Sequence, residues 1–568
     1  MSQRIVLSLA AVALTLGALA PWGVTSSSAV AETPLKTGLP ATSELGGADR
    51  FLTHLSTDKP IYREGETVYV RGIMLEASRH VPLPGGAANA TLEVKGPKGD
   101  TVFSSNAQAQ DSVLGFQWRI PEGTSGGQYL VKASFPWNGY APAERAFEVR
   151  DYRPPRLKSQ IVFVRDGYGP GDSVQASLHT ERAEGGIPVG AKVGVTARVD
   201  GVEVHRATTT IDARGNCGAS FALPREIARG DGTLIFAIED GGVIETATKT
   251  IPILLQTLDL AFYPEGGELV AGLPMRVYVE ARTPAQKPAD LKGIIVDGAG
   301  QEVAKVATEH EGRGRFSLTP KSGESYTLKV VEPAGISKTF ALPAAKATGA
   351  VVGAVGDTIA VGAPARLLIG STQPGELTLT VSQREHVLAS KKLAFKKSRF
   401  WQSGIVTGRL VEQRLDLPQE TSGVLIATLW DASGAPLAER LLFRKPQPGL
   451  RVEVQTSKPR YATGDEVELT VRTRDAHGKP VAAVVGVTIT DESVLEMVEK
   501  REQAPRLPVM VLLEDDVREL ADAHVYLDPQ NTKAPLAVDL LLGTQGWRRF
   551  ALTHVDTRIA RQRAARAA

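Results

Sequence analysis

The sequence predicts an all-β protein built from tandem β-sandwich domains. A motif of the form Tyr-x-x-Gly-acid-x-Val begins at Tyr62, Tyr168 and Tyr461. Each copy runs into residues that alternate between apolar and polar, which is typical of a strand with one buried face. The 56 glycines and 35 prolines are spread as short turn signals rather than gathered in low-complexity tracts. Many short strands separated by turns are therefore expected along the whole chain.

Two weaker copies of the motif, at Leu269 and Ile359, fill the gap between the second and last clear copies. The five starts are then 90 to 106 residues apart, which matches the size of fibronectin-like or immunoglobulin-like sandwiches. We expect the motif glycine to supply a backbone conformation that residues with a Cβ resist. A chain of 568 residues is also too long for one ordinary core.

The motif starts and the turn signals divide the chain into seven segments. In the final segment, Leu513, Val517 and Leu520 share one helical face, and Pro535 can open a second short helix. The predicted segments are a signal peptide over 1–31, a linker over 32–50, and five sandwich domains over 51–152, 153–254, 255–345, 346–447 and 448–568, the last with a short helical tail.

The N-terminus has the pattern of a secretory signal peptide. Arg4 precedes an apolar stretch over 5–20, and Ala29-Val-Ala31 is a small-x-small cleavage site. An uncleaved membrane anchor is the alternative, but Pro21 and Gly23 interrupt the apolar run and no basic cluster follows it. No later stretch approaches the length needed to cross a bilayer. The sequence therefore predicts a secreted or periplasmic protein whose mature chain has no transmembrane segment.

Two strings resemble landmarks of a known family. Ser56-Thr-Asp-Lys-Pro-Ile-Tyr62-Arg-Glu-Gly65 resembles the opening of a macroglobulin domain in the alpha-2-macroglobulin family, and Asp491-Glu-Ser-Val-Leu495 resembles a landmark late in that family's domain array. The segments 262–269 and 546–550 are similar to parts of bacterial macroglobulin-domain envelope proteins. The resemblance implies a macroglobulin-type scaffold related to endopeptidase inhibitors, with proteases or envelope proteins as partners.

The resemblance also directs attention to Cys217, the single cysteine of the chain. Family members carry a thioester in the sequence Gly-Cys-Gly-Glu-Gln, whereas Cys217 lies in Gly-Asn-Cys-Gly-Ala-Ser and lacks the glutamine. We therefore expect a domain array without thioester capture, and no intramolecular disulfide. Cys217 is predicted to be a small buried hydrophobic residue of the second domain.

Two segments are candidates for contact with other proteins. The polar stretch 499–506 follows the late landmark, where the family places the bait that proteases cut, and it offers Lys500, Arg501 and Arg506 to trypsin-like enzymes. An ordinary exposed linker would have the same composition. The string Trp547-Arg548-Arg549 could form a docking patch of aromatic and guanidinium groups. Alternatively, Trp547 packs a terminal helix onto the last sandwich.

The sequence offers no constellation typical of a catalytic, cofactor or metal site. The nine histidines are tens of residues apart with no His-Glu-x-x-His, which favours scattered surface positions. No Gly-x-Ser-x-Gly elbow or phosphate-binding loop occurs. A net charge of +2 gives no electrostatic support for nucleic acid binding. We expect a protein that is not an enzyme, with a structural adhesin or envelope spacer as the alternative to a protease-binding scaffold.

Overall fold

The computed structural model describes residues 51–83, 88–136, 140–150, 156–183, 185–253, 257–384, 386–397, 405–447, 449–459, 461, 465–489 and 503–546. These residues are mostly in antiparallel β-sheets, and a short helical segment lies near the end of the chain. The predicted fold class, tandem β-sandwiches followed by a short helical segment, is confirmed. The exact domain boundaries stay a prediction.

The first sandwich contains strands β1 (Phe51–Thr57), β2 (Ile61–Tyr62), β3 (Thr67–Glu76), β4 (Ala88–Lys95), β5 (Thr101–Ala109), β6 (Val113–Arg119), β7 (Gly127–Phe135) and β8 (Tyr140–Val149). They form a three-stranded sheet of order β1-β3-β6 and a five-stranded sheet of order β2-β8-β7-β4-β5. Large aromatic residues, among them Tyr62, Trp118, Tyr129 and Phe147, fill the core between the sheets. Alternate residues of β3 are buried, as its period-two pattern predicts.

The second sandwich contains strands β9 (Leu157–Phe163), β10 (Ser173–Arg182), β11 (Lys192–Val199), β12 (Val202–Thr210), β13 (Asn216–Ala222), β14 (Gly232–Asp240) and β15 (Val243–Thr250). Their orders are β13-β10-β9 in one sheet and β12-β11-β14-β15 in the other. Cys217 lies on β13 and packs, partly buried, against this core. Burial raises the pKa of its thiol to about 11. This position agrees with the predicted role as a small hydrophobic residue.

The third sandwich contains strands β16 (Asp259–Pro264), β17 (Met275–Arg282), β18 (Lys292–Asp297), β19 (Glu302–His310), β20 (Arg313–Leu318), β21 (Tyr326–Glu332) and β22 (Thr339–Ala341). Hydrogen bonds connect them in the order β16-β17-β20-β19-β18-β21-β22. Strand β19 pairs with both β18 and β20, so it links the two halves of the sandwich.

The fourth sandwich contains strands β23 (Ala350–Ala354), β24 (Ala365–Ser371), β25 (Gly375–Gln383), β26 (His386–Lys396), β27 (Ile405–Val406), β28 (Val411–Leu415), β29 (Gly423–Trp430) and β30 (Pro436–Arg444). The sheet orders are β23-β24-β28 and β27-β26-β25-β29-β30. Every residue of β29 is buried, unlike the alternating strands of the first sandwich.

The repeated motif closes each of these four sandwiches in the same way. A residue of the motif makes a parallel pair with the end of its own domain: Tyr62 with Val149, Tyr168 with Ile253, Val270 with Lys346, and Ile359 with Arg444. The motif glycines have positive φ angles of 69° to 82° at positions 65, 171, 272 and 362. The expectation that these glycines supply an unusual backbone conformation is therefore confirmed. The glycine of the last copy, Gly464, lies outside the described residues.

In the described residues, the fifth region contributes one hairpin, made of β31 (Arg451–Thr456) and β32 (Leu469–Arg474). The start of this region resembles the start of the first sandwich. The Tyr461 hydroxyl accepts a hydrogen bond from the backbone N–H of Lys458, three residues earlier, as the Tyr62 hydroxyl does in the first sandwich. The side chains of Val452 and Val454 are 47% and 60% exposed. The hairpin thus shares the start of a sandwich domain but buries little apolar surface.

The helical segment, residues 503–546, contains α1 (Leu507–Leu512), a 3₁₀ turn (Glu514–Asp516), α2 (Ala523–Tyr526) and α3 (Ala534–Gly543). Pro535 occupies the first turn of α3, as predicted from its fixed φ angle. The prediction that Leu513, Val517 and Leu520 share one helical face is wrong, because α1 stops before Leu513 and Val517 is extended.

Candidate interaction site at the helical segment

The helical segment is held first by apolar contact with the fourth sandwich. In β29, Leu425, Ala427 and Leu429 face the core of their own domain. The intervening Val424 and Ile426 lie on the opposite face and pack under the helical segment. This explains why β29 is buried along its whole length. Leu512, Leu513, Val538 and Leu541 supply the helical side of this second core.

A buried polar cluster holds α3 between the third and fourth sandwiches. The carboxylate of Asp539, on α3, is 1% exposed and accepts hydrogen bonds from the hydroxyl of Tyr278 and from the guanidinium of Arg440. Arg440 also donates to Glu265 over 3.1 Å and to the Tyr278 hydroxyl over 2.8 Å. Arg315 donates to Asp539 from the third sandwich. Three parts of the fold therefore share one carboxylate.

The charges of this cluster balance. Arg276, Arg315 and Arg440 supply three cations, and Glu265, Asp357 and Asp539 supply three carboxylates within ion-pair distance of them. Burial is the main cause that raises the pKa of Tyr278, so its hydroxyl keeps its proton and can donate to Asp539. A buried cluster of this kind adds little stability over apolar packing, but losing one member leaves the others unpaired.

The end of α3 approaches Tyr278 closely. A Cβ placed at Gly543 would lie 2.4 Å from two ring carbons of Tyr278. No ring can accept a contact that short without moving. Glycine at position 543 therefore allows α3 to lie flat on the third sandwich and brings Asp539 within reach of the Tyr278 hydroxyl.

A second charged junction joins the 3₁₀ turn to the first and fourth sandwiches. Arg145 of β8 donates to both carboxylate oxygens of Glu514, over 3.0 and 2.9 Å. Arg384, in the turn between β25 and β26, donates to Asp516 over 3.3 and 3.1 Å. The same guanidinium donates to the carbonyl oxygen of Ala77, 2.7 Å away. The Asp515 carboxylate, between these two pairs, lies 3.5 Å from Nδ1 of His54.

A third junction joins α2 to the third sandwich. The His310 ring meets the ring of Tyr526 edge-on, with centroids 5.4 Å apart. Nδ1 of His310 is 3.7 Å from the Asp522 carboxylate, which also lies 3.0 Å from His524. Arg282 pairs with Glu519 over 2.7 Å. The helical segment therefore touches the first, third and fourth sandwiches along its length.

Most of the sequence-predicted site residues fall outside this junction. Lys500, Arg501, Trp547, Arg548 and Arg549 lie outside the described residues, as do the late landmark 491–495 and the signal peptide. Arg506 is described and exposed, and it immediately precedes α1. Its carbonyl oxygen accepts hydrogen bonds from the backbone N–H groups of Val509 and Met510. Neither contact with other proteins nor cleavage at these residues has been tested, so both roles stay predictions.

Sequence reasoning missed the junction itself. Its signal was present, because Arg440 lies in the apolar run Leu437-Ala-Glu-Arg-Leu-Leu-Phe443 and Asp539 lies in Ala537-Val-Asp-Leu-Leu-Leu542. Charges inside apolar runs are buried only when paired. The expectation of scattered surface histidines also fails for His54, which is 4% exposed beneath the 3₁₀ turn. Among the described residues, no group of three His, Cys, Asp or Glu side chains is arranged to hold a metal ion.

Comparison with known proteins bears on the family resemblance. Residues 52–149 match the MG2 domain family. The alpha-2-macroglobulin of Thermotoga maritima is 23% identical over 293 residues, which covers 50% of this chain and 19% of that protein. The predicted resemblance to the bacterial alpha-2-macroglobulin family is confirmed. The chain spans about a fifth of the length of that curated relative.

Solved structures of bacterial alpha-2-macroglobulins are also similar to parts of this chain. Trypsin-activated alpha-2-macroglobulin from Escherichia coli is 15% identical, with a TM-score of 0.41 over 78% of this chain and 34% of that one. Salmonella alpha-2-macroglobulin reacted with methylamine is also 15% identical, with a TM-score of 0.37 over 83% of this chain and 34% of that one. In the described part of the chain, none of the helices has the length and apolar character needed to cross a bilayer.

Proposed function

We propose that this macroglobulin-family protein is a secreted or periplasmic scaffold that binds proteases without thioester capture. The observation that carries the proposal is the docking of residues 507–546 against three sandwiches, directly after the stretch 499–506 that is predicted to be cleavable. Similarity to an alpha-2-macroglobulin over half of the chain supports a protein-binding role rather than catalysis. The proposal concerns the whole chain, because the helical segment contacts the first sandwich as well as the consecutive third and fourth sandwiches.

The position of the predicted cleavable stretch determines which parts of the chain a cut would disconnect. The hairpin of β31 and β32 precedes this stretch, and the docked helical segment follows it. A cut at Lys500 or Arg501 would break the covalent link between them while leaving the buried contacts of Asp539 and Asp516 intact. A protease would then cut the chain between the hairpin and the helical segment while the helical segment stays docked on the sandwiches.

The three basic residues of the stretch are not equivalent. A protease must hold the residues around the scissile bond in an extended conformation, but the Arg506 carbonyl already accepts two N–H groups of α1. Cutting after Arg506 would first require that turn of helix to open. We therefore assign the sensitive bonds to Lys500 and Arg501, with Arg506 as a slower site.

The test is limited digestion of residues 32–568 with a small amount of trypsin, followed by intact mass measurement and size-exclusion chromatography. We expect one early cut after Lys500 or Arg501, with both products and the protease eluting together. The double variant Lys500→Gln and Arg501→Gln should lose the early cut, whereas Arg506→Gln should keep it. Early cutting at many sites, or free protease after the cut, would overturn the proposal and favour a structural spacer.

A further inference from the structure

His54 is buried because the helical segment covers it. Neighbouring side chains of a strand point to opposite faces of the sheet, and in β1 the next residue, Leu55, points into the core of the first sandwich. His54 therefore lies on the outer face of that sheet. It is nevertheless only 4% exposed, since α1 packs against β1 and Asp515 of the 3₁₀ turn lies 3.5 Å from its Nδ1.

Two more histidines lie where the helical segment meets a sandwich. His80 belongs to the first sandwich and borders Gly423 of the fourth, next to Leu512 of α1. His310 of the third sandwich packs against Tyr526 of α2. In contrast, the cluster around Asp539 that anchors α3 consists of arginines, carboxylates and Tyr278 and contains no histidine among the described residues. The histidines thus gather at the α1 and α2 half of the helical segment.

The charges that face His54 and His80 are already paired with one another. Arg145 is paired with Glu514, and Arg384 is paired with Asp516. Glu76, which faces His80, is paired with Arg79. Asp515 is the one further carboxylate of the 3₁₀ turn, and it faces His54. The Glu76 carboxylate also interacts electrostatically with His386 of the fourth sandwich.

Burial shifts the protonation of these groups. It is the main cause that lowers the pKa of His54 and of His80 to about 4, with Arg384 as the next cause for both. Burial likewise lowers the pKa of His310. The groups that face His310 are Asp522, Glu311, Arg313 and His524. These three histidines bind protons more readily when they are exposed, so docking weakens as pH falls from about 6.5 toward about 4.

Asp515 opposes this effect. Burial raises the pKa of its carboxyl to about 6, so the docked form takes up a proton that an exposed aspartate would not bind until much lower pH. This uptake favours docking as pH falls through about 6. Because three histidines act in one direction and one carboxylate in the other, the net effect of acid is to weaken docking.

We propose that the helical segment is an acid-sensitive clamp, in which protonation of His54, His80 and His310 releases α1 and α2 while α3 stays bound. The connection between α2 and α3, residues 527–533, then acts as the hinge. Partial release follows from the placement of the histidines, since they border only the first part of the segment. This inference does not depend on protease binding.

The test is hydrogen exchange with mass spectrometry on residues 32–568 at about pH 7 and about pH 5, corrected for the intrinsic pH dependence of exchange. We expect protection of peptides within 507–526 to fall by roughly ten-fold or more at the lower pH. Peptides within 534–546 should change much less. Equal changes in the two regions, or no change in either, would overturn the proposal.

Two variants and a control identify the groups responsible. The triple variant His54→Gln, His80→Gln and His310→Gln should lose the pH dependence of protection in 507–526. Asp515→Asn, which removes the carboxyl whose protonation favours docking, should make the loss at low pH larger. His179→Gln, an exposed residue of the second sandwich, should behave like the wild type. A reduced acid response in Asp515→Asn would contradict the proposed balance even if the triple variant does not fold.

Discussion

The hydroxyl oxygen of Tyr278 lies 3.0 Å from Oδ2 of Asp539, and 261 residues separate the two in the chain. Both side chains are buried, and Arg440 of the fourth sandwich donates to both of them. This contact joins the third sandwich, the fourth sandwich and α3 at one point. Removing this contact should therefore weaken the packing of all three parts.

Replacing Asp539 with Asn should destabilise the docked α3 strongly. Arg440 and Arg315 would lose a buried counter-charge, and breaking a buried pair from one side costs about 3 to 5 kcal/mol. Urea unfolding and hydrogen exchange of residues 534–546 would measure this. The control is Asp416→Asn, whose side chain is 82% exposed, and which should cost less than about 0.5 kcal/mol. Equal stability of the two variants would contradict the assigned role.

Gly543→Ala should displace α3 although it adds only a methyl group. The new Cβ would meet the Tyr278 ring at 2.4 Å, and overpacking of this kind costs about 1 to 3 kcal/mol. Gly115→Ala, at a site with no heavy atom within 4 Å, is the matched control and should be nearly neutral. Thermal unfolding would compare the two. A Gly543→Ala variant as stable as Gly115→Ala would show that the helix does not lie as close to Tyr278 as described.

Arg384→Ala should loosen the 3₁₀ turn from the first and fourth sandwiches. The change removes the guanidinium that pairs with Asp516 and donates to the Ala77 carbonyl, at a cost of about 2 to 4 kcal/mol. Exchange of peptides within 507–526 should speed up at neutral pH, while the second sandwich stays unchanged. Arg206→Ala, which breaks an exposed pair with Glu203, should alter neither region.

Cys217 should react slowly with thiol reagents in the folded protein. Burial raises the pKa of its thiol from 9.0 to about 11, so the thiolate fraction at pH 8 falls about 100-fold. Alkylation rates in buffer and in concentrated urea would measure the difference. A folded protein that reacts as fast as the unfolded one would show that Cys217 is not held in the core of the second sandwich.

The sequence predicted the repeating parts of the fold well because local rules govern them. Period-two alternation placed β3, and the repeated motif placed the glycines with positive φ angles, since both features depend on residues close in the chain. The shape of the helical segment was harder. Val517 is extended because the turn before it directs Glu514 and Asp516 to arginines of other domains, and helical periodicity contains no information about such partners.

The candidate site was predicted less well than the fold. The motifs directed attention to 499–506 and 547–549, and of the site residues predicted there Arg506 alone lies in the described residues. The junction depends on pairs such as Tyr278 with Asp539, and no local pattern connects residues so far apart. An arginine and an aspartate within two apolar runs were the available clue.

The parallel pairing that closes each sandwich also has a mechanical consequence. Tyr62 pairs in parallel with Val149, and the second, third and fourth sandwiches repeat the arrangement. Because the paired segments run in the same direction, the chain enters the domain at one end and leaves it at the other. Tension along the polypeptide would therefore slide the paired segments past each other and load the one or two hydrogen bonds of each pairing in shear. An array closed in this way is suited to resist stretching.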